Sequence, residues 1–170
     1  MGDRRVVVTG LGAVTPLGVS APTFWDALVS GKGGVRRISR FDPNPFDSQV
    51  GGECLDFNPS DFLAHRENKR MDRFAQLGFA SAKMAMADSG LESGQFDPTR
   101  AGVIIGTGIG GLQELEDQHK RLISKGPGRV SAFTIPKLMA NAASASGNSL
   151  MFESDTPIAV SSDRNTRREK

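Results

Sequence analysis

The chain has no tyrosine, one tryptophan and one cysteine among its 170 residues, and each shortage closes off a class of function. A single thiol, Cys54, excludes an intrachain disulfide and a thiolate metal cluster, so no metal site is expected and a reducing compartment fits. With so few large aromatics there is no aromatic binding platform. No apolar run approaches the roughly 18 residues that a membrane span needs. The formal net charge of +2 is too small to argue for nucleic acid. Arg4-Arg5 followed by Val6-Val7-Val8 only loosely imitates a secretory signal: Thr9, Gly10, Gly12, Thr15 and Pro16 interrupt the run, and Asp3 precedes it. Val6 stands where a myristoylation motif wants Ser or Thr. A cytoplasmic protein with no membrane or nucleic-acid partner is therefore expected.

What is present in quantity is glycine, 20 residues, beside 38% hydrophobic and 24% charged residues. That balance suits one soluble, turn-rich α/β domain with close backbone packing. The stretch Ala101-Gly-Val-Ile-Ile-Gly-Thr-Gly-Ile-Gly-Gly-Leu112 organises it. Val103, Ile104 and Ile105 suit a strand buried on both faces, and the glycines after them allow positive φ or close approach of another backbone. Gly106, Gly108 and Gly111 also spell G-x-G-x-x-G, the dinucleotide fingerprint. The acidic residue the fingerprint wants roughly 20 positions on is missing, since that region reads Lys125-Gly-Pro-Gly-Arg-Val130. A turn that packs strand against helix is the plainer reading, and no cofactor is expected.

Arg4 to Val14 reads as a first strand, with Val6 to Val8 as its buried run. A short helix begins at Ser20 or Ala21 before Pro22 and stops at Gly31; Gly31 to Gly52 reads as irregular. Asn58-Pro59 caps another short helix, and the longest helix is predicted from Arg66 to Ser89, stopped by Gly90. The glycine turn opens an amphipathic helix from Leu112 to about Ser124, with Leu112, Leu115, His119, Leu122 and Ile123 on one side. A last helix spans Thr134 to Ser144 and weakens after Ala143. Pro157 to Val160 is a candidate strand in a polar tail that is expected to fray. Strands separated by helices make an α/β layered pattern.

Arg4-Arg-Val-Val-Val-Thr-Gly-Leu-Gly-Ala-Val-Thr-Pro-Leu-Gly18, Lys69-Arg-Met-Asp-Arg-Phe74, Asp88-Ser-Gly-Leu91, Gly106-Thr-Gly-Ile-Gly-Gly111 and Phe133-Thr-Ile-Pro136 occur in this order over residues 4–143. Together they resemble the N-terminal part of a β-ketoacyl-acyl-carrier-protein synthase, the type II condensing enzyme of fatty-acid synthesis. The resemblance implies an α/β, thiolase-like fold of which this chain is an incomplete N-terminal half with layered helices and sheet. It divides the chain into a synthase-like domain, 1–148, and a divergent tail, 149–170. It also implies a homodimer in complete members, an acyl-carrier-protein partner and decarboxylative condensation with malonyl carrier protein.

Complete members use a cysteine in a Thr-Ala-Cys-Ala-like segment and two later histidines. Here Ile158-Ala-Val-Ser-Ser-Asp163 stands in that place, so no catalytic residue is expected within the chain, and the divergence after Asn148 reads as a frameshift or premature end. Cys54 reads as a structural thiol, His65 and His119 as helix-flank residues. Carried over by the resemblance, Arg66, Lys69 and Arg70 become a docking face for the acidic carrier protein, against the alternative of a solvated basic helix. Ile109 and Phe133 become lining of the acyl pocket near the dimer surface, although core packing would explain both. A noncatalytic protein that binds carrier protein, or pairs with a complete synthase, is the second reading.

Overall fold

The computed structural model describes residues 5–92 and 95–151. Helix α1, Ala21–Val29, starts where the sequence places it: the Ser20 hydroxyl accepts the Thr23 N–H at 3.2 Å, and Pro22 stands in the first turn. Gly31 ends it with φ +68°. Between Gly31 and Gly52, where no regular element is expected, the chain forms a hairpin. Its strands β1, Val35–Arg37, and β2, Val50–Gly52, run antiparallel with Val35 opposite Gly52. Strands of three residues are too short to leave a period-2 pattern, and of the glycine pair that reads as a breaker, Gly52 lies against Pro16 and Gly51 against Ile38. The Asn58 side chain then accepts the Ser60 N–H and caps a single 3₁₀ turn, Pro59–Asp61.

The predicted long helix is two helices. Helix α2, His65–Asn68, closes after one turn, and α3, Arg73–Ser89, begins after Asp72. Asp72 is extended, with φ −80° and ψ 164°, and its carboxylate accepts the Arg73 N–H; a cap of this kind restarts a helix. Gly90 ends α3 in the left-handed region, as expected. Helix α4, Leu112–Lys125, follows the glycine turn. The last predicted helix is also divided, into α5, Thr134–Leu138, and α6, Ala142–Met151. Breaking it frees the Leu138 carbonyl to accept the Gly111 N–H at 3.0 Å.

Helix α6 does not weaken at its serines. The Ser144 hydroxyl accepts the Ile105 N–H at 3.1 Å, and the Ser146 hydroxyl donates to the Ala142 carbonyl, so both are spent on backbone. The predicted strand at Pro157–Val160 and the rest of the tail beyond Met151 lie outside the described residues.

Neither long strand of the sequence reading is paired. Among the described residues the sheet is the β1–β2 hairpin alone. Val6, Val7 and Val8 stand open to solvent, Val6 at 94% exposure. Along residues 101–107 burial alternates rather than covering both faces: Val103 and Ile105 turn inward while Ile104 is 98% exposed. A strand needs a neighbour to satisfy its N–H and C=O groups, and an apolar run specifies the wish for burial without supplying that neighbour.

What these segments do have is α3. A Cβ on Gly12 would lie 2.0 Å from the Ser81 carbonyl oxygen, and one on Gly10 would lie 2.2 Å from that of Ala85. The backbone therefore runs directly on the helix, and the Leu11 N–H donates to the Asp88 carboxylate at 2.8 Å. On another side of α3, α6 packs through Ala143, close to Gly78, while Val103 reaches Gly147. The core that results is built of small residues, Ala75, Ala80 and Ala143, with Phe57, Leu63 and Phe79.

Candidate functional site

The division between α2 and α3 changes the geometry of the three candidate cations. Arg66 is inside α2, Lys69 caps its end and Arg70 lies in the following turn, so a single helix does not carry them at i, i+3 and i+4. All three remain exposed, and none enters an ion pair among the described residues. Their platform is stitched to α3 by Gln76, whose amide donates to the Asn68 side chain at 2.7 Å.

Arg70 connects this platform to the second candidate group. Its guanidinium lies over the Phe133 ring, 5.6 Å from the centroid, a cation–π geometry. Phe133 is half exposed, at 51%, and caps α5; Ile109, at 72%, projects from the glycine turn. Neither is core packing. Near them α4 presents Leu112, Leu115, Leu122 and Ile123 to solvent, the reverse of what its amphipathic pattern suggests.

The buried side of α4 is polar. Glu114 and Gln118 are its buried residues, and Gln118 donates to Glu114 at 2.9 Å while accepting the Ser131 N–H at 2.9 Å. Lys137 of α5 pairs with Glu114 at 3.2 Å. Asp72 completes the arrangement: one carboxylate oxygen caps α3, and the other accepts the Glu114 N–H at 3.0 Å in the first turn of α4. One buried carboxylate thus caps two helices. Sequence reasoning missed this network, although Asp72 before an apolar helical run carries the signal of an N-cap.

The same carboxylate disposes of the dinucleotide reading. A pyrophosphate would need free N–H groups at the start of α4, but Asp72 takes that of Glu114 and the Leu138 and Gly110 carbonyls take those of Gly111 and Leu112. A Cβ on Gly111 would stand 2.7 Å from that carboxylate and 2.5 Å from the Leu138 Cα, so this glycine serves packing. Nothing lies within 4 Å of a Cβ on Gly106 or Gly108.

Cys54 is half-buried and its thiol donates to the Val14 carbonyl across 3.9 Å. Burial pushes its pKa up, and the nearby Arg73 charge only partly opposes this, so it lacks the activation of a nucleophile. His65 and His119 are exposed on α2 and α4. Among the described residues no group of three His, Cys, Asp or Glu side chains stands close enough to hold a metal ion, and no helix is long and apolar enough to cross a membrane.

Residues 3–154 match the family model of the β-ketoacyl synthase N-terminal domain. The chain belongs to the β-ketoacyl synthase family. It is 45% identical over 141 residues to 3-oxoacyl-[acyl-carrier-protein] synthase 2 of Synechocystis sp., covering 83% of this chain and 34% of that protein. The enzyme of the same name from Coxiella burnetii is 43% identical over 144 residues, 85% of this chain and 35% of that one. The chain thus spans about a third of the length of these relatives.

Among solved structures, the ishigamide ketosynthase/chain length factor superposes with a TM-score of 0.73 at 26% identity, covering 88% of this chain and 38% of that one. A type II polyketide ketosynthase, AntDE, solved in complex with its acyl-carrier protein AntF, matches with a TM-score of 0.67 at 25% identity, covering 89% and 39%. The fold is therefore that of the N-terminal half of the thiolase-like ketosynthases, as the sequence motifs imply, with its long strands unpaired among the described residues.

Proposed function

We propose that this chain supplies the carrier-docking and acyl-pocket face of a 3-oxoacyl-acyl-carrier-protein synthase, whose condensation chemistry is carried by residues outside it. The observation that carries the reading is the contact of Arg70 with Phe133, which joins an unpaired basic platform to an exposed apolar face. Arg66, Lys69 and Arg70 attract the acidic carrier protein and orient it; Phe133 and Ile109 then meet the acyl chain it delivers. One solved neighbour is itself a ketosynthase bound to its acyl-carrier protein, which supports this choice of partner.

The chain by itself is inactive. Its one cysteine is held in a carbonyl contact with a raised pKa, and neither histidine lies in a catalytic constellation. Condensation of an acyl group with malonyl carrier protein is therefore absent from the isolated chain, and Cys54→Ala changes nothing in that assay. Turnover that disappears in Cys54→Ala would overturn this.

Carrier binding is tested by titrating acyl carrier protein at low and physiological salt. Binding is expected to weaken with salt and to fall at least roughly tenfold in the triple variant Arg66→Glu, Lys69→Glu, Arg70→Glu. Equal affinity for that variant removes the docking role. The exposed apolar side of α4 favours the second reading as well: pairing through this face with another copy of the chain or with a complete synthase. On that reading the chain acts as a noncatalytic binding partner.

A further inference from the structure

Between the β1–β2 hairpin and the start of α3, with none of Arg66, Lys69 and Arg70 in its lining, lies a cavity of about 470 Å³. Two guanidiniums, those of Arg40 and Arg73, line it together with the Glu53 carboxylate, the Cys54 thiol and the apolar side chains of Leu55 and Phe57; Leu77 of α3 adds a further apolar wall. Like charges that share a partly enclosed space repel, so what neutralises them decides what the cavity can hold.

Two of the three ionised groups are already committed. The Arg73 terminal nitrogens donate to the Phe57 carbonyl at 3.3 Å and the Cys54 carbonyl at 2.8 Å, and the guanidinium lies 4.7 Å from the centre of the Phe57 ring. Glu53 accepts the Ser39 N–H and hydroxyl, each at 2.9 Å, and the Arg40 N–H at 3.1 Å. Its charge offsets one cation. The Arg40 side chain enters no hydrogen bond or ion pair among the described residues. The three groups carry a net charge of one positive. Against the effect of burial, the bonds from Ser39 and the Arg40 N–H, helped by the Arg40 charge, lower the Glu53 pKa, yet the planar fork of Arg40 keeps free donors.

We propose that this cavity binds a small organic monocarboxylate, with Arg40 taking the carboxylate and Leu55, Phe57 and Leu77 enclosing its apolar body. A few convergent polar groups in an otherwise apolar cavity is the usual composition of a small-molecule site. The charge matches a single anion, and a guanidinium fork matches a carboxylate in two parallel hydrogen bonds. A phosphate dianion would exceed the charge available and would leave the apolar wall unused. The lowered pKa of Arg73, caused first by burial and then by the charge of Arg40, is consistent with a cavity short of negative charge.

Cys54 provides the readout, because it lines the cavity and is the chain's only thiol. Alkylation of the folded chain by iodoacetamide is followed with hexanoate, hexanol, acetate or inorganic phosphate present. Hexanoate at about ten times its Kd is expected to slow alkylation roughly tenfold, with acetate weaker and hexanol and phosphate without effect at equal concentration. Arg40→Gln should require roughly tenfold more hexanoate, and Arg40→Lys, which keeps the charge without the fork, should fall between. The Arg40 side chain carries no structural bond, and the backbone N–H that holds Glu53 is untouched by either change.

Equal protection by hexanol or phosphate, or no change in Arg40→Gln, overturns the proposal. Protection is also expected to survive Phe133→Ala. Its loss there would place the ligand at the face where carrier docking is proposed and would refute this site while leaving docking intact. Conversely, failure of carrier binding leaves this test unaffected.

Discussion

Helices α3 and α4 both carry apolar residues at helical spacing, and only α3 buries its share of them. It buries Ala75, Phe79 and Ala80 and receives the backbone at Gly10 and Gly12, the Ile105 side chain and a second helix on its surface. Helix α4 buries Glu114 and Gln118 and turns four large apolar residues outward. Periodicity reports that a helix has two unlike faces; what decides which is inside is the set of partners each face can satisfy. On α4 the inward face is fixed by hydrogen bonds to Asp72, forty residues before the helix, and to Ser131 and Lys137 in the segment after it.

The contrast is broken most severely at the glycine contacts of α3. Gly12→Val would drive a branched side chain into the Ser81 carbonyl, with no flexible atom able to yield. A loss of about 3 kcal/mol is expected, read from the midpoint of urea unfolding. A loss below about 0.5 kcal/mol would mean that residues 5–14 do not sit on α3 in solution. Asp72→Ala comes next, at about 2 kcal/mol, because it strips caps from two helices at once. Hydrogen exchange should quicken at the Arg73 and Glu114 amides together, and Asp72→Asn should restore part of the protection. Faster exchange at Arg73 alone would show that Asp72 does not hold α4.

Local signals were legible at several caps and stops. Ser20, Asn58, Gly31 and Gly90 stop or start elements as their types dictate, and of the glycines after Ile105, Gly110 and Gly111 make the close approach expected of them while Gly106 and Gly108 do not. What was not legible depends on distant partners. Val6 to Val8 and Val103 to Ile105 have strand-forming composition, yet strand pairing requires a neighbour that the run itself does not encode. The division of the long helix hides in one residue, Asp72, which is tolerable inside a helix by propensity and decisive as a cap. Of the candidate site, Arg66, Lys69 and Arg70 are exposed as expected but not on one helical face. The contact between Arg70 and Phe133 crosses more than sixty positions and leaves no local trace.

Cys54 gives a smaller test on the α3 side. Burial raises its pKa, so the folded chain disfavours the thiolate. The sign follows: this contribution to stability is complete below the ordinary thiol pKa and is lost as pH rises through the higher value in the folded chain. Thermal stability should therefore decline in that alkaline window more steeply in the native protein than in Cys54→Ala. Parallel profiles would mean that the thiol is as accessible folded as unfolded.

The smallest effect on stability should come from Leu115→Ser in the outward stripe of α4. Leu115 is 51% exposed, and a substitution there leaves the Glu114 and Gln118 network untouched, so unfolding should shift by no more than about 0.5 kcal/mol. Its effect should appear in association. If the stripe pairs with a second chain, sedimentation of the native protein will depend on concentration, and Leu115→Ser will weaken that dependence roughly tenfold in Kd, because a polar group replaces an apolar anchor. A loss of about 2 kcal/mol in the monomer instead would mean that α4 buries its leucines within the chain. The two helices would then follow the same rule, and the polar network would be an accessory to apolar packing. An unchanged stability with lost association would establish the opposite: α4 is oriented by its hydrogen bonds so that its hydrophobic face is kept for another protein.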